Sequence, residues 1–543
     1  MAKKNHVVLP GSKRAKDPDA NPIGNADPDQ IIEVTITLAG PKLPDADDVG
    51  QKMTPKEFEQ LYGAKKEDAD QVAKSLKAFK LKVESVSLAT RSMRISGTIG
   101  DMSKAFQTKL SMMRSSKQND YRGRSGTLSV PAELKGIVTG VFGLDERRMT
   151  RERAKAQPQA HAAAALPPLA PIDIEQRYNF PPGDAHGQTI AIAEFGGGYF
   201  ASDVSAYCAR FNRPIPSVTA VSVDTPAYTF QQIMALPSSQ RSDELDASVE
   251  VMMDVEIVAG LCPGAKISVL FSTFDQRGWV DLLNAVITLN PVSLSVSWGM
   301  SEDAADWSTN AINAINDRLN ALRLLGVTTC VSSGDDGAGD LVSDRKAHVD
   351  FPASSPFVLA VGGTMLKKSG ATVKEVTWND PPGQRYIGNN PTGGGSSGGG
   401  KSVVFRRPSW QKVSITSLNS GSIDGRVIPD VAALAGSPFY DLIFTGQSSP
   451  NGGTSASAPV WASLIARVNA ALPPAKQQQF LTPLLYAKAA NGKPVGQVSS
   501  VDITTGNNKS SPDPGRGYSA KAGFDAVTGW GVPDGVKLLN ALS

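Results

Sequence analysis

From residue 172 onward the chain repeats one arrangement, a short run of apolar residues followed by a longer stretch with helical periodicity. The apolar runs at 188–193, 266–271, 292–297, 326–332 and 358–361 show little polar alternation. Strands of that kind need cover on both faces, which a sheet with one wet side does not give them. Helical stretches at 245–259, 278–289, 309–325 and 455–471 lie among them. The pattern predicts an α/β unit, a doubly wound, mostly parallel sheet with helices on both faces.

The preceding part reads differently. Residues 1–30 are rich in Asp, Asn, Pro, Lys and Gly and are expected to be a disordered extension. Residues 31–38 alternate like a strand, Thr54-Pro-Lys-Glu-Phe58 reads as a helix start, and 68–79 as a helix. Strand-like runs at 81–88 and 91–97 and a helical run at 102–108 complete a small α+β domain over 31–145. Residues 146–170 change character: Arg147, Arg148, Arg151, Arg153 and Lys155 cluster before an Ala/Pro-rich run. That composition predicts an exposed, cleavable linker. Residues 171–543 form the larger unit, and 543 residues in all exceed one ordinary core.

Charge divides the same way. Residues 1–165 hold 28 Lys and Arg against 20 Asp and Glu, a balance of +8, and the remainder carries −5. Opposite signs suggest two parts that attract one another. No run reaches the roughly 18 apolar residues of a membrane helix, and no apolar stretch follows the lysines of Met1-Ala-Lys-Lys, so no classical signal peptide is visible. Neither a nucleic acid nor a membrane is expected as a partner. Cys208, Cys262 and Cys330 are odd in number and far apart, and read as buried small hydrophobes.

Chemistry concentrates at a glycine-flanked serine in Gly452-Gly-Thr-Ser-Ala-Ser-Ala-Pro459. Ser455 opens a helical run, where the helix field favours developing negative charge. The position equally suits an N-cap serine; Ser457, inside the run, is the weaker nucleophile. The chain has only four histidines, His6, His161, His186 and His348, to accept a proton. An apolar stretch upstream carries Glu250 and Asp254, one helical turn apart on one face. Two carboxylates sharing a dry site share a proton and can act as a general base; a solvated acidic edge, with Asp246 and Glu256, is the other reading. Gly334-Asp-Asp-Gly337 follows a strand, where α/β folds place their sites. Asp335, kept protonated, could donate to an oxyanion, while an Asp-Gly turn explains the same residues. The Gly-rich run 392–400 is expected to be a flexible surface loop and lacks the order of a phosphate-binding motif.

Together these residues resemble the sedolisin family, the serine-carboxyl peptidases, in its kumamolisin-like branch, from about Ile31 to the end. The serine motif, Glu250-x-x-x-Asp254 with Cys262-Pro-Gly-Ala265, and Ser332-Ser-Gly-Asp-Asp-Gly337 carry the likeness. Ala193-Glu-Phe-Gly-Gly-Gly-Tyr199, Ser295-Val-Ser-Trp-Gly299, His348-Val-Asp-Phe-Pro-Ala-Ser-Ser-Pro356 and Val427-Ile-Pro-Asp-Val-Ala432 also fit. The resemblance implies a subtilisin-like catalytic fold behind a pro-domain that acts as intramolecular inhibitor. It implies Ser455 as nucleophile, Glu250 as general base, Asp254 as its partner and Asp335 as the oxyanion-side acid. Glu194 and Trp298 become outer partners of the base, and Asp350 a wall of the substrate pocket. It also implies one structural Ca2+ site in two halves, Val501-Asp-Ile503 and Ala520-Lys-Ala-Gly-Phe-Asp525. Its ligands are the carboxylates of Asp502 and Asp525 and the carbonyls of Ile503, Lys521 and Gly523, all hard oxygen donors. Lys521 and Phe524 stand where many relatives have Gly and Trp.

The expectation is therefore an acid-active, self-processing endopeptidase of proteins or peptides, monomeric and extracellular. Two rivals stand beside it. A subtilisin-type Ser-His-Asp peptidase needs a histidine in a His-Gly-Thr setting, which neither His186-Gly-Gln nor His348-Val-Asp supplies. A catalytically dead binding protein would not need every catalytic position filled.

Overall fold

In the computed structural model of the chain, residues 5–115, 118, 120–149, 166–383, 385–387, 390–391 and 394–543 are described. Most of the expected linker, 146–170, lies outside them. The N-terminal unit holds strands β1 (His6–Val8), β2 (Ala20–Asn25) and β3 (Ile31–Leu38), helices α1 (Pro55–Tyr62) and α2 (Lys66–Lys77), strands β4 (Lys82–Ser87) and β5 (Ser92–Thr98), and helix α3 (Ile99–Phe106). Strands β6 (Ser111–Ser115), β7 (Asp120–Gly123), β8 (Ser129–Pro131) and β9 (Val138–Phe142) complete it.

The expected disordered extension is corrected here. β1 pairs with β8 and β2 with β6, so the described residues before Ile31 belong to the folded unit. Side chains decide this more than composition does: Leu9 and Ala26 are buried in the same core as Ile32, Val34 and Ile36.

The larger unit runs through helix α4 (Pro171–Arg177), strand β10 (Thr189–Phe195), helix α5 (Ala201–Arg210), strand β11 (Ser217–Ser222), and helices α6 (Phe230–Met234) and α7 (Ser238–Leu261). Then come β12 (Lys266–Ser272), α8 (Gln276–Leu289), β13 (Ser293–Val296), β14 (Met300–Ser301), α9 (Thr309–Leu324), β15 (Thr328–Ser332) and β16 (Asp350–Phe351). The antiparallel pair β17 (Leu359–Ser369) and β18 (Thr372–Thr377) follows, and later helix α10 (Thr454–Ala471). The main sheet has the order β11-β12-β10-β13-β15-β17-β18, with the strand Val431–Leu434 also on β17. Apart from β18 its pairings are parallel.

The two-residue period of β10 shows why helices are needed on both faces. Ile190 and Ile192 enter a core with Val251, Val255 and Val258 of α7 and Val460 and Leu464 of α10. Ala191, Ala193 and Phe195 enter a second core with Leu282 and Val286 of α8 and Ile315 and Leu319 of α9.

The N-terminal unit docks on the α8/α9 face. Its sheet, β4-β5-β3-β9, buries Val34 and Ile36 inward and turns Thr35 outward. There the Thr35 hydroxyl donates to Asp281 at 2.8 Å, Arg94 donates to Asp224 at 2.5 Å and Asp281 at 3.1 Å, and Arg277 reaches Asp224, Asp281 and Glu33. Burial, then the Asp224 charge, pushes the Asp281 carboxyl up to about 6 against the pull of the two arginines. Arg94→Ala leaves two buried carboxylates with one guanidinium, and is expected to lower stability in denaturant unfolding by about 3 kcal/mol. Faster amide exchange in β3 than in β10 should accompany the loss, and Arg94→Lys should recover part of it.

Candidate active site

β10, β13 and β15 are neighbours in the sheet, and their C-terminal ends deliver Glu194, Ser297 with Trp298, and Asp335 to one place. Helix α7 brings Glu250 and Asp254 in from one face, and α10 brings Ser455. All of these side chains are buried.

The start of α10 explains how the serine is held. Gly453 has φ +98°, and a Cβ there would lie 2.6 Å from Asp335 Oδ2, so glycine alone lets this carboxyl approach the helix. Pro459, four residues after Ser455, has no N–H and leaves the Ser455 carbonyl without its helical donor. Ser297 supplies the replacement, its Oγ lying 3.1 Å from Ser455 O and 2.7 Å from Asp254 Oδ2. The Ser455 hydroxyl lies 3.4 Å from Ser297 O. A hydroxyl has one proton to give. With Asp254 protonated, Asp254 donates to Ser297 Oγ and Ser297 donates to Ser455 O, and both contacts are satisfied.

The carboxylates set one another's protonation. Burial, then the Glu250 charge, pushes Glu194 well above the usual carboxylate range, while the Trp298 Nε1–H bond to Glu194 Oε2, 2.9 Å, holds it back. Burial, then the charges of Glu194 and Glu250, pushes Asp254 up in the same way against the Ser297 bond. Glu194 and Asp254 therefore keep their protons to higher pH than an exposed carboxyl does, with the Glu250 charge among the causes for both.

Asp335 accepts from Thr454 N at 2.8 Å and Thr454 Oγ1 at 2.6 Å, both on Oδ1. Oδ2 faces Gly453, with Arg385 Nη1 at 3.8 Å, and Arg385 pairs with Asp336 at 3.0 Å. Asp350, in β16, stands behind the same loop: its Oδ2 lies 2.9 Å from where a Gly334 Cβ would be. The Gly-rich run is corrected as well. Residues 395–400 are buried, and Gly398 N bonds Gly334 O at 2.7 Å. A Cβ at Gly398 would fall 2.0 Å from Ser333 O, so these glycines serve close backbone packing behind Asp335 and not flexibility. Residues 392 and 393 lie outside the described ones.

Sequence reasoning gave Ser297, Thr454 and Arg385 no role. The signal for Ser297 was present, because a proline four residues beyond the serine orphans one carbonyl and calls for a donor. The described histidines are engaged away from the Ser455 hydroxyl, whose neighbour is Ser297 O. His6 bonds Ala105 O, His186 is exposed, and both ring nitrogens of His348 engage Asp303 and Asp344 at 2.8 Å.

At the C-terminus the two expected calcium half-sites meet. Asp502 Oδ2 accepts from Gly523 N at 2.8 Å, and Asp525 Oδ2 accepts from Lys521 N at 3.1 Å. Two carboxylates thus flank the 521–523 turn beside a cavity of about 420 Å³ lined by Asp502, Gly523 and Gln497. Ile503 is buried next to Asp502. Among the described residues no three His, Cys, Asp or Glu side chains converge as a metal cluster. The donor set here is two carboxylates plus main-chain oxygen, which fits a hard cation and no softer metal.

Comparison with known proteins agrees with this geometry. Residues 18–147 match "Pro-kumamolisin, activation domain" and residues 243–531 match "Subtilase family". The first match begins before Ile31, as the paired strand β2 does. The chain is 34% identical to kumamolisin of Bacillus sp. (strain MN-32), over 98% of this chain and 96% of that one. It is 30% identical to human tripeptidyl-peptidase 1, over 76% of this chain and 71% of the relative. The solved structure of Pseudomonas sedolisin, a serine-carboxyl proteinase complexed with pseudo-iodotyrostatin, superposes with a TM-score of 0.57 at 26% identity, covering 70% of this chain and 98% of that one. The chain belongs to the sedolisin family and is a serine peptidase that carries a kumamolisin-type activation domain ahead of its subtilase fold.

Proposed function

We propose that the chain is an acid-active serine-carboxyl endopeptidase that processes itself, with Ser455 as nucleophile, Glu250 as general base, Asp254 as its partner and Asp335 as the oxyanion-side acid. One observation carries the reading: Asp254, buried and pushed up by Glu194 and Glu250, is linked through the Ser297 hydroxyl to the Ser455 main chain. Glu250 takes the Ser455 proton as Oγ attacks the peptide carbonyl, then returns it to the leaving amine. The logic is that of a serine triad with carboxylates in place of imidazole. Asp254 and Glu194, anchored by Ser297 and Trp298, keep the shared proton in the group. Protonated Asp335 donates from Oδ2 to the oxyanion, beside main-chain N–H groups of the first helical turn that have no intrahelical acceptor. Asp350 walls the substrate pocket behind Gly334.

The N-terminal domain, 31–145 with its earlier strands, acts as the inhibitor, and 146–170 is the segment cut on activation. A carboxylate base in place of imidazole is poised below neutral pH, so the enzyme works there, in an acidic compartment or outside the cell. No helix among the described residues is long and apolar enough to cross a membrane. The Ser-His-Asp rival is disfavoured by His348: against the pull of burial, Asp303 and Asp344 push it up to about 9, so it is a cation and not a base.

Asp502, Asp525 and the carbonyls of Ile503, Lys521 and Gly523 would hold Ca2+, which would cross-link the C-terminal turn and take no part in bond cleavage. EGTA is then expected to lower the unfolding temperature, calcium to restore it, and Asp502→Ala to remove the response. An unfolding temperature indifferent to both additions would refute the site.

Ser455→Ala should abolish peptide turnover and self-cleavage alike on a gel at about pH 4. Asp335→Asn still donates a hydrogen bond and should keep roughly tenfold more kcat than Asp335→Ala, the loss from one missing oxyanion donor being about 100-fold. Equal damage from the two changes removes the oxyanion role.

Stability follows the same protons. Glu194 and Asp254 have raised affinity when folded, so their contribution is greatest near the unfolded pKa of about 4 and falls as pH rises. His348 stabilises below its unfolded pKa of about 6.5, and that contribution, on the order of 2 kcal/mol after screening, is lost as pH rises through 9. Asp424, held down by Arg407 and Lys401, acts oppositely and loses its contribution only as pH falls below about 4. The Ser455→Ala chain should therefore unfold at its highest temperature near pH 5 and progressively lower up to pH 9 in scanning calorimetry, whereas His348→Gln should flatten the alkaline side.

A further inference from the structure

The last described residues of the N-terminal unit, Arg147-Arg148-Met149, lie along the catalytic domain as a peptide would. Met149 N donates to Phe274 O at 2.7 Å, and the Met149 side chain is fully buried in the core that also holds Phe195, Trp279 and Trp298, its sulfur 4.0 Å from Gln276 Nε2 of the catalytic domain and 3.4 Å from Arg14 Nη1 of the N-terminal unit. The Arg148 guanidinium stands 4.4 Å over the Phe274 ring and pairs with Asp243 at 3.0 Å. Its charge also reaches Glu244, one residue on in α7, whose carboxylate is fixed by Gly197 N at 2.6 Å. Phe274 is one ring away from the candidate site: it packs edge-on to Trp298 at 5.7 Å, and Trp298 holds Glu194. The chain comes back into the described part on the other flank, where Leu169 N bonds Phe439 O and the Phe439 ring lies against Gly452 of the serine motif. Residues N-terminal to a bond cut at Ser455 therefore face Phe274.

An aromatic face with two carboxylates at its edge recognises a cation, and arginine above all, because its flat guanidinium stacks and pairs at once. Phe274, Asp243 and Glu244, which surround the Arg148 guanidinium, belong to the catalytic domain and stay behind when the N-terminal unit leaves, whereas the Arg148 main chain is held by that unit, its N donating to Gln118 Oε1 at 2.7 Å. We infer that Phe274, Asp243 and Glu244 form a substrate subsite for a basic side chain, followed by a slot for an aliphatic one, on the acyl side of the scissile bond. Arg148 and Met149 occupy it in the uncut chain. The inference rests on Ser455 as nucleophile and deepens that reading to a substrate class, peptides with a basic–aliphatic pair upstream of the cut.

The test uses enzyme that has processed itself. Peptides that vary only at the residue before a fixed Met are compared by kcat/KM, with Arg, Lys, Ala or Glu at that place and cut sites read by mass spectrometry. Arg is expected to exceed Glu by about tenfold, the combined effect of one cation–π contact and one half-exposed ion pair. Phe274→Leu should shrink the Arg-over-Lys ratio, and Asp243→Lys should invert the Arg-over-Glu ratio. Each ratio is taken within one variant, so a general loss of activity does not affect it. The peptide Leu-Asp-Glu-Arg-Arg-Met should compete with substrate, and more weakly with Glu in place of its second Arg. Ser455-dependent cleavage with equal kcat/KM for Arg and Glu overturns the subsite and leaves the peptidase assignment intact. Absence of any Ser455-dependent cleavage overturns both.

Discussion

Everything at the candidate site depends on removing Glu194, Glu250 and Asp254 from water together. Among the described residues no lysine, arginine or histidine forms an ion pair with Glu194 or Asp254, so their charge is offset only by hydrogen bonds and shared protons. Burying such a group costs free energy. The two hydrophobic cores that meet at β10 bear this cost, because they close both faces of the sheet around its C-terminal edge. A base built from carboxylates needs this dryness. In water they would titrate near 4 and independently.

The parallel sheet was legible because its strands must be apolar on both faces, and the expected runs 188–193, 266–271 and 326–332 overlap β10, β12 and β15. β11 went unseen for a related reason. It is an edge strand with exposed Ser217, Thr219 and Ala220, so its apolar signal is diluted. The extension before Ile31 was misread because its polar composition hides two single anchors, Leu9 and Ala26, whose main chains are held from far along the sequence, Leu9 N by Leu128 O and Ala26 N by Leu110 O. Helix α7 begins at Ser238, earlier than 245, because its first turns are polar and show no apolar period.

The site divides along the same line between local and distant causes. Ser455 with its glycines, and Glu250 with Asp254, are short patterns whose chemistry follows from spacing. Ser297 acts across 158 residues, and only the proline at 459 hints that a donor is wanted. The Gly-rich run was misjudged because glycine has two opposite uses, freedom in a loop and close approach in a packed wall. Composition does not separate them. The 2.0 Å from a Gly398 Cβ to Ser333 O does.

The opposite charges of the two halves meet as expected, but their distribution changes what acid can do. At the centre of the interface Asp281 already has raised proton affinity from burial and from Asp224. A carboxyl in that condition takes up its proton while docked, so acidification through about pH 6 relieves repulsion there and does not weaken docking. The pairs Arg147 with Asp306 and Arg148 with Asp243 lie instead at the rim, their carboxylates each about one-third exposed. Both arginines lie at the very end of the N-terminal unit, next to the segment proposed to be cut. The interface thus keeps its dry carboxyls at the centre and its wetter ion pairs where the chain leaves for that segment, and surface pairs of the second kind contribute least to holding two units together.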